Sequence, residues 1–148
     1  MSESVSGSLV QPTSLLAFLE RAGVAKSSVI RVTGPSALSA LLWLCRHDYD
    51  HVGYVRGAEG APHEEEPDAI IVAHTCRELE LKRLLTVGRQ VRPGGAFIFR
   101  LRTDPGSHPL GLEWMLRQAG FSVEQRLDGA RRALIIARRA PILAQRAA

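Results

Sequence analysis

A mostly parallel α/β sheet of about six strands, covered by helices on both faces and finished by an antiparallel strand, is the fold the sequence predicts. Three observations predict it. Short β-branched segments alternate with helix-patterned ones along most of the chain, the rhythm of parallel strands joined by crossover helices. The run Ala69-Ile70-Ile71-Val72-Ala73 is apolar throughout, as a central strand buried on both faces must be. The last two strand-like stretches, 122–127 and 132–138, flank an Asp128-Gly129 turn, so they form an antiparallel pair.

The elements follow in order. Thr13 or Ser14 caps a helix running to about Ala22, with Leu15, Leu16, Phe18 and Leu19 as its apolar face and Gly23 as its stop. Val29 to Val32 is a strand, Thr33-Gly34-Pro35 a turn, and Ser36 the cap of an apolar helix through about Asp48. His51 to Val55 is a second strand, and the Gly, Pro and acidic run of 56–67 is a loop. Glu78 to Val91 is a helix whose apolar positions are Leu79, Leu81, Leu84, Leu85 and Val87. Arg92-Pro93-Gly94-Gly95 turns the chain into a strand over Ala96 to Leu101, and a helix spans about Pro109 to Ala119.

At 148 residues the chain suits one domain, placed at 13–140 between a polar N-terminal segment, 1–12, expected to be disordered, and a tail, 141–148. It has neither a membrane-length apolar run nor a basic, apolar leader, so a cytoplasmic location is expected. Cys45 and Cys76 are far apart and in apolar surroundings, which predicts free buried thiols. The net charge is +4, and of the 19 basic residues all but Lys26 and Lys82 are arginine. Arginine suits phosphate and carboxylate partners. Nucleic acid is disfavoured, because aromatic interleaving and lysine clusters are lacking. The acidic run His63 to Glu66 reads as a solvated loop, and no metal site is expected.

Three segments resemble the class I S-adenosylmethionine (SAM) methyltransferases: Val91-Arg92-Pro93-Gly94-Gly95-Ala96-Phe97-Ile98-Phe99, then Trp114 to Glu124 with its Ala-Gly-Phe break, then the closing strand Arg132 to Arg138. The resemblance implies a Rossmann-like sheet with the family's third strand missing and Asp68 in a structural role. It also marks where the cofactor contacts should be. The family's first strand ends in an acid before a glycine-rich turn; here Arg31 stands in that place, and Gly34 and Ser36 are what is left of the SAM loop. At the end of the second strand, where the family's ribose-binding acid belongs, stands Arg56, which has no acceptor.

The expected function is therefore that of a non-catalytic methyltransferase-like domain, without cofactor, acting on a protein partner or an anionic ligand. An exposed sheet edge left by the missing strand is where a protein partner or self-association is expected. An active SAM-dependent enzyme with an atypical site is the alternative. Arg31, Arg56 and Arg102, with His74, are the anion-binding candidates, and the three arginines are expected to face one cleft at the C-terminal strand edge. No catalytic residue is assigned, although His74 and Cys76 raise the question of a thiol–imidazole pair. Trp43, Leu42 and Leu44 are expected in the core, and Trp114 either there or in an exposed patch.

Overall fold

The computed structural model describes residues 12–55, 66–103 and 110–141. Four helices and six strands alternate along them: α1 (Pro12–Arg21), β1 (Val29–Thr33), α2 (Ala37–Arg46), β2 (His51–Tyr54), β3 (Ala69–Cys76), α3 (Glu78–Gly88), β4 (Ala96–Arg102), α4 (Leu110–Gln118), β5 (Phe121–Asp128) and β6 (Arg132–Arg139). The strands form one sheet in the order β2-β1-β3-β4-β6-β5. Pairing is parallel from β2 to β4, and β6 lies antiparallel between β4 and β5. The predicted fold class is the observed one. The expected disorder of 1–12 and the tail fall largely outside the described residues, as does most of the 56–67 loop. Among the described residues no helix is long and apolar enough to cross a membrane.

Alternation along each strand divides the core into two layers. Ile30, Val32, Ala69, Ile98 and Ile136 pack with Phe18 and Leu19 of α1 and Leu44 of α2. Ile70, Val72, Phe97, Phe99, Leu101 and Ile135 pack with Leu81 and Leu85 of α3 and Leu112 and Leu116 of α4. Several expectations about individual side chains are corrected here. Leu79 is 91% exposed, because it stands in the first turn of α3 on the side away from the sheet. Leu42 is 46% exposed on the outer side of α2, whereas Leu44 is buried and Trp43 half-buried. Trp114 is exposed on α4, which packs beside β5 and so far from the β2 edge. Cys45 and Cys76 are both free thiols, but only Cys76 is buried.

Two helix ends also differ from expectation. α3 stops at Gly88 rather than Val91, since its last turn tightens: Gln90 N–H bonds the Val87 carbonyl and Val91 N–H that of Gly88, turning the Val91 side chain into the core. α2 ends at Arg46, and Asp48 follows in left-handed conformation with φ 69°. Ser36 occupies the cap position of α2, yet its side chain makes no capping hydrogen bond.

The edge where the parallel strands begin is tied by two charged groups. The Asp68 carboxylate accepts the Val29 N–H at 2.8 Å and pairs with the Arg92 guanidinium, while the Asp68 backbone bonds Val29 and Ala96. The Pro-Gly-Gly turn beside it needs both glycines: Gly94 has φ +82°, and a Cβ on Gly95 would lie 2.6 Å from the Val91 side chain and 2.8 Å from the Asp68 carbonyl. Arg138 donates to the Ala22 carbonyl at 2.6 Å, to the Gly94 carbonyl at 3.2 Å and to the Glu124 carboxylate at 2.5 Å. One guanidinium thus joins the end of α1, the turn and β5.

Candidate functional site

At the opposite edge, β1 ends in the Thr33-Gly34 turn that leads into α2, and β2 ends beside it. Between them lies a cleft of about 360 Å³ lined by Val32, Thr33, Gly34, Pro35, Ala37, Leu38, Tyr54 and Val55. That volume falls at the low end of small-molecule sites, about 300–1,000 Å³. Its apolar wall is open to solvent, with Leu38 57% and Tyr54 49% exposed. No carboxylate lines it among the described residues.

β3 runs on the other side of β1, and its end reaches the Gly34 turn without lining the cleft. Up to Ile71, which pairs with Ile98, β3 and β4 run in simple register; the next pair is Thr75 with Arg100. β3 therefore advances from 71 to 75 while β4 advances from 98 to 100, and the bulged chain re-aims His74. The imidazole packs on the Gly34 turn so closely that a Cβ on Gly34 would meet Nδ1 at 2.5 Å. Gly34 has φ +107°, so this position excludes a side chain twice over. His74 Nε2 lies 3.4 Å from the Glu80 carboxylate, and Nδ1 is buried without a hydrogen-bond partner. Glu80 in turn accepts the Arg77 N–H at 2.9 Å at the start of α3.

The structure does not form a thiol–imidazole pair. Cys76 Sγ is directed to the His74 carbonyl at 3.7 Å, not to the ring. Burial, aided by the Glu80 charge, pushes the thiol up to about 12, with Arg100 opposing weakly, so it stays protonated at neutral pH.

The three arginines expected in one cleft are not brought together. Ile30 and Val32 belong to the α1/α2 layer, so Arg31 lies on the α3/α4 face. Its side chain runs over Gly53, and Nη1 donates to the Ile30 carbonyl at 3.0 Å and reaches the His51 carbonyl at 3.5 Å. That direction is back along β2, away from its C-terminal end. Arg102 is on the α1/α2 face, because its neighbour Leu101 is in the α3/α4 layer. Arg56 lies outside the described residues. Sequence reasoning overlooked Arg132, which the β4–β6 register sets opposite Arg102. Its signal was the alternation of Arg100 and Arg102 against Phe97, Phe99 and Leu101, once a strand partner is known.

Among solved structures, the chain is similar to a magnesium protoporphyrin IX methyltransferase from Synechocystis with bound SAH, at TM-score 0.59 and 12% identity over 92% of this chain and 84% of that one. It is similar to a SAM dependent methyltransferase from Aquifex aeolicus, at TM-score 0.58 and 12% identity, over 88% of this chain and 90% of that one. An O-methyltransferase family protein from Burkholderia thailandensis aligns at TM-score 0.55 and 14% identity over 94% of this chain, which spans 59% of that protein. The fold is that of a class I methyltransferase. No family model and no curated protein matches the sequence.

Within this methyltransferase fold, the cleft between β1 and β2 lies where the resemblance locates SAM. SAM offers ribose hydroxyls that donate and an ammonium that needs acceptors. The described cleft lining supplies hydrophobic walls, the Thr33 side chain and backbone, and Arg31 is turned to the other face. His74 packs against the Gly34 turn where a β-carbon would stand. The cleft has the volume for a small ligand, and no carboxylate lines it among the described residues.

Proposed function

We propose that this domain keeps the methyltransferase fold and works by binding, on a protein partner or an anionic ligand, rather than by transferring a methyl group. The observation that carries the reading is the cleft of about 360 Å³ with no carboxylate among its described lining residues, next to an Arg31 directed away from it. A missing acceptor leaves the donors of a bound ribose or ammonium unpaired, at about 1–3 kcal/mol each. The open β2 edge, with Tyr54 on it and Leu38 and Leu42 on the neighbouring helix, supports a protein or a second copy as the partner.

Calorimetric titration with SAM and S-adenosylhomocysteine tests this. The expected dissociation constant is about millimolar or weaker, some 4 kcal/mol of binding. A low-micromolar constant for either would overturn the reading. It would instead support an active SAM-dependent enzyme with an atypical site, the alternative favoured by the retained Gly34 turn with its positive φ.

A further inference from the structure

Among the described residues β2 forms one edge of the sheet and β5 the other, and the two are built differently. β5 is eight residues long, is bulged between Val123 and Gln125, and carries Glu124, Arg126 and Asp128. Bulges and charges of this kind keep a free edge from pairing. β2, His51-Val52-Gly53-Tyr54, pairs with β1 in unbroken register and has no carboxylate, lysine or arginine. The helix beside it continues the contrast. In a chain of net charge +4, no residue from Thr33 through Cys45 is charged. Leu38, Leu42 and Cys45, at i, i+4 and i+7, stand exposed in a stripe along α2. Leu38 and Tyr54 line one cleft, so the stripe and the strand edge meet there. Depletion of charge marks the core of a protein interface.

The free backbone of β2 is complementary to itself. Val55 N–H bonds the Val32 carbonyl, so Val55 faces β1. Backbone groups of successive residues point alternately to the two sides of a strand. His51 and Gly53 therefore face β1 as well, while Val52 and Tyr54 present N–H and C=O to the open edge. A two-fold axis at Gly53 sets Val52 of each copy opposite Tyr54 of the other, in the pairing where both N–H···O=C bonds are exchanged. Gly53 meets Gly53 at the closer, non-hydrogen-bonded spacing, about 4.5 Å between Cα atoms, where glycine brings no side chain. Arg31 lies over Gly53, but its Nη1 points back to the carbonyl of His51. Under this axis the two His51 residues are about 13 Å apart along the strands. That exceeds the screening length of roughly 8 Å at physiological salt, so the two guanidiniums do not oppose the pairing.

We propose that this edge takes a second copy of the chain: β2 pairs antiparallel with β2 about a two-fold axis at Gly53, and the α2 stripes of both copies flank the seam on one face. The sheet then runs continuously through both copies. One short strand and one helical stripe make a small interface, so the dimer is reversible and depends on concentration. The dimer rests on the binding reading above for its role, in that it names the protein partner, and not for its geometry.

Engineered cysteines in the full chain, with Cys45→Ser as background, test the axis. Gly53→Cys is accommodated, since a Cβ there would meet only the Arg31 side chain, at 3.5 Å or more. Two such cysteines face each other within disulfide reach. Two at Tyr54→Cys lie on the diagonal, about 7–8 Å apart, and are past it. Under copper–phenanthroline oxidation, Gly53→Cys should give a linked dimer about tenfold faster than Tyr54→Cys. Wild type should pass from monomer to dimer with rising concentration in sedimentation velocity, and circular dichroism of the reduced variants verifies their fold. A wild type that stays monomeric at every concentration, its edge left to the chain's own segments or to another protein, overturns the proposal. So does linkage of Tyr54→Cys as fast as that of Gly53→Cys, which marks a different register. A low-micromolar SAM constant would sink the function proposed above and leave the dimer standing, whereas a monomer would sink the dimer and leave that function to other ligands.

Discussion

Gly34 and His74 meet where a β-carbon has no room, and the contact sets the shape of the candidate site. Gly34→Ala should destabilise the domain by about 1–3 kcal/mol from backbone strain alone, since φ +107° suits only glycine. The imidazole clash adds to that, so the double variant with His74→Ala should recover part of the loss and no more. Thermal unfolding measures both, and a Gly34→Ala variant as stable as wild type would mean the turn relocates freely. Asp68 is the second residue whose chemistry reaches the whole fold. Burial raises its pKa, but the Val29 N–H and the Arg92 guanidinium outweigh that and hold the carboxyl below its ordinary 3.8. The folded chain therefore holds this proton less tightly than the unfolded chain does. The stabilisation is complete above about 3.8 and is lost as pH falls through the lower folded value. Asp68→Asn should cost about 1–2 kcal/mol near neutrality, with the gap closing as the pH falls through the lowered folded value. A gap of the same size in acid would assign the effect to packing instead of charge.

Among the elements, β2 is the most exposed to partnership. It is a four-residue edge strand, His51–Tyr54, paired on one side only among the described residues. Leu38 and Leu42, one turn apart on α2, and Tyr54 place apolar surface beside its unpaired backbone. Self-association through this edge should appear as a dimer in light scattering, and Leu38→Glu with Leu42→Glu should return it to monomer. A wild-type chain that stays monomeric at high concentration removes the motive for a partner here. Element positions are legible in the sequence because periodicity, caps and the Pro-Gly-Gly turn all act locally. The bulge in β3 is not legible. Residues Val72 to His74 read as an ordinary buried strand, and only pairing with β4 shows that they buckle and carry His74 onto Gly34. Leu79 misleads for a related reason: in the first turn of a helix, an apolar residue need not face the sheet.

For the whole molecule, both edges of the sheet carry charged pairs, Arg126 with Asp128 and His74 with Glu80 at the end where the parallel strands finish. Where the parallel strands start, acids and arginines are matched: Asp68 with Arg92, Glu124 with Arg138. Where β4 ends, Arg100, Arg102 and Arg132 lie on one face, while Arg31 is sent to the other. The sequence alone shows which residues of one strand share a face. It does not show which faces of different strands coincide, and that is why Arg31 and Arg102 are expected together and found apart. The cofactor reading also has a consequence at this scale. With a millimolar constant, SAM at a similar concentration adds only about 0.4 kcal/mol of stability, and the melting temperature should move by about a degree or two.

The Arg138–Ala22 bond joins positions 116 residues apart, and it closes the described chain nearly into a ring. Because β6 runs antiparallel, it returns the backbone to the same edge at which α1 delivers it to β1. The chain therefore enters β1 and leaves β6 at one edge of the sheet. A guanidinium on the last strand that holds the end of the first helix couples the two, so loosening of β6 loosens α1 with it.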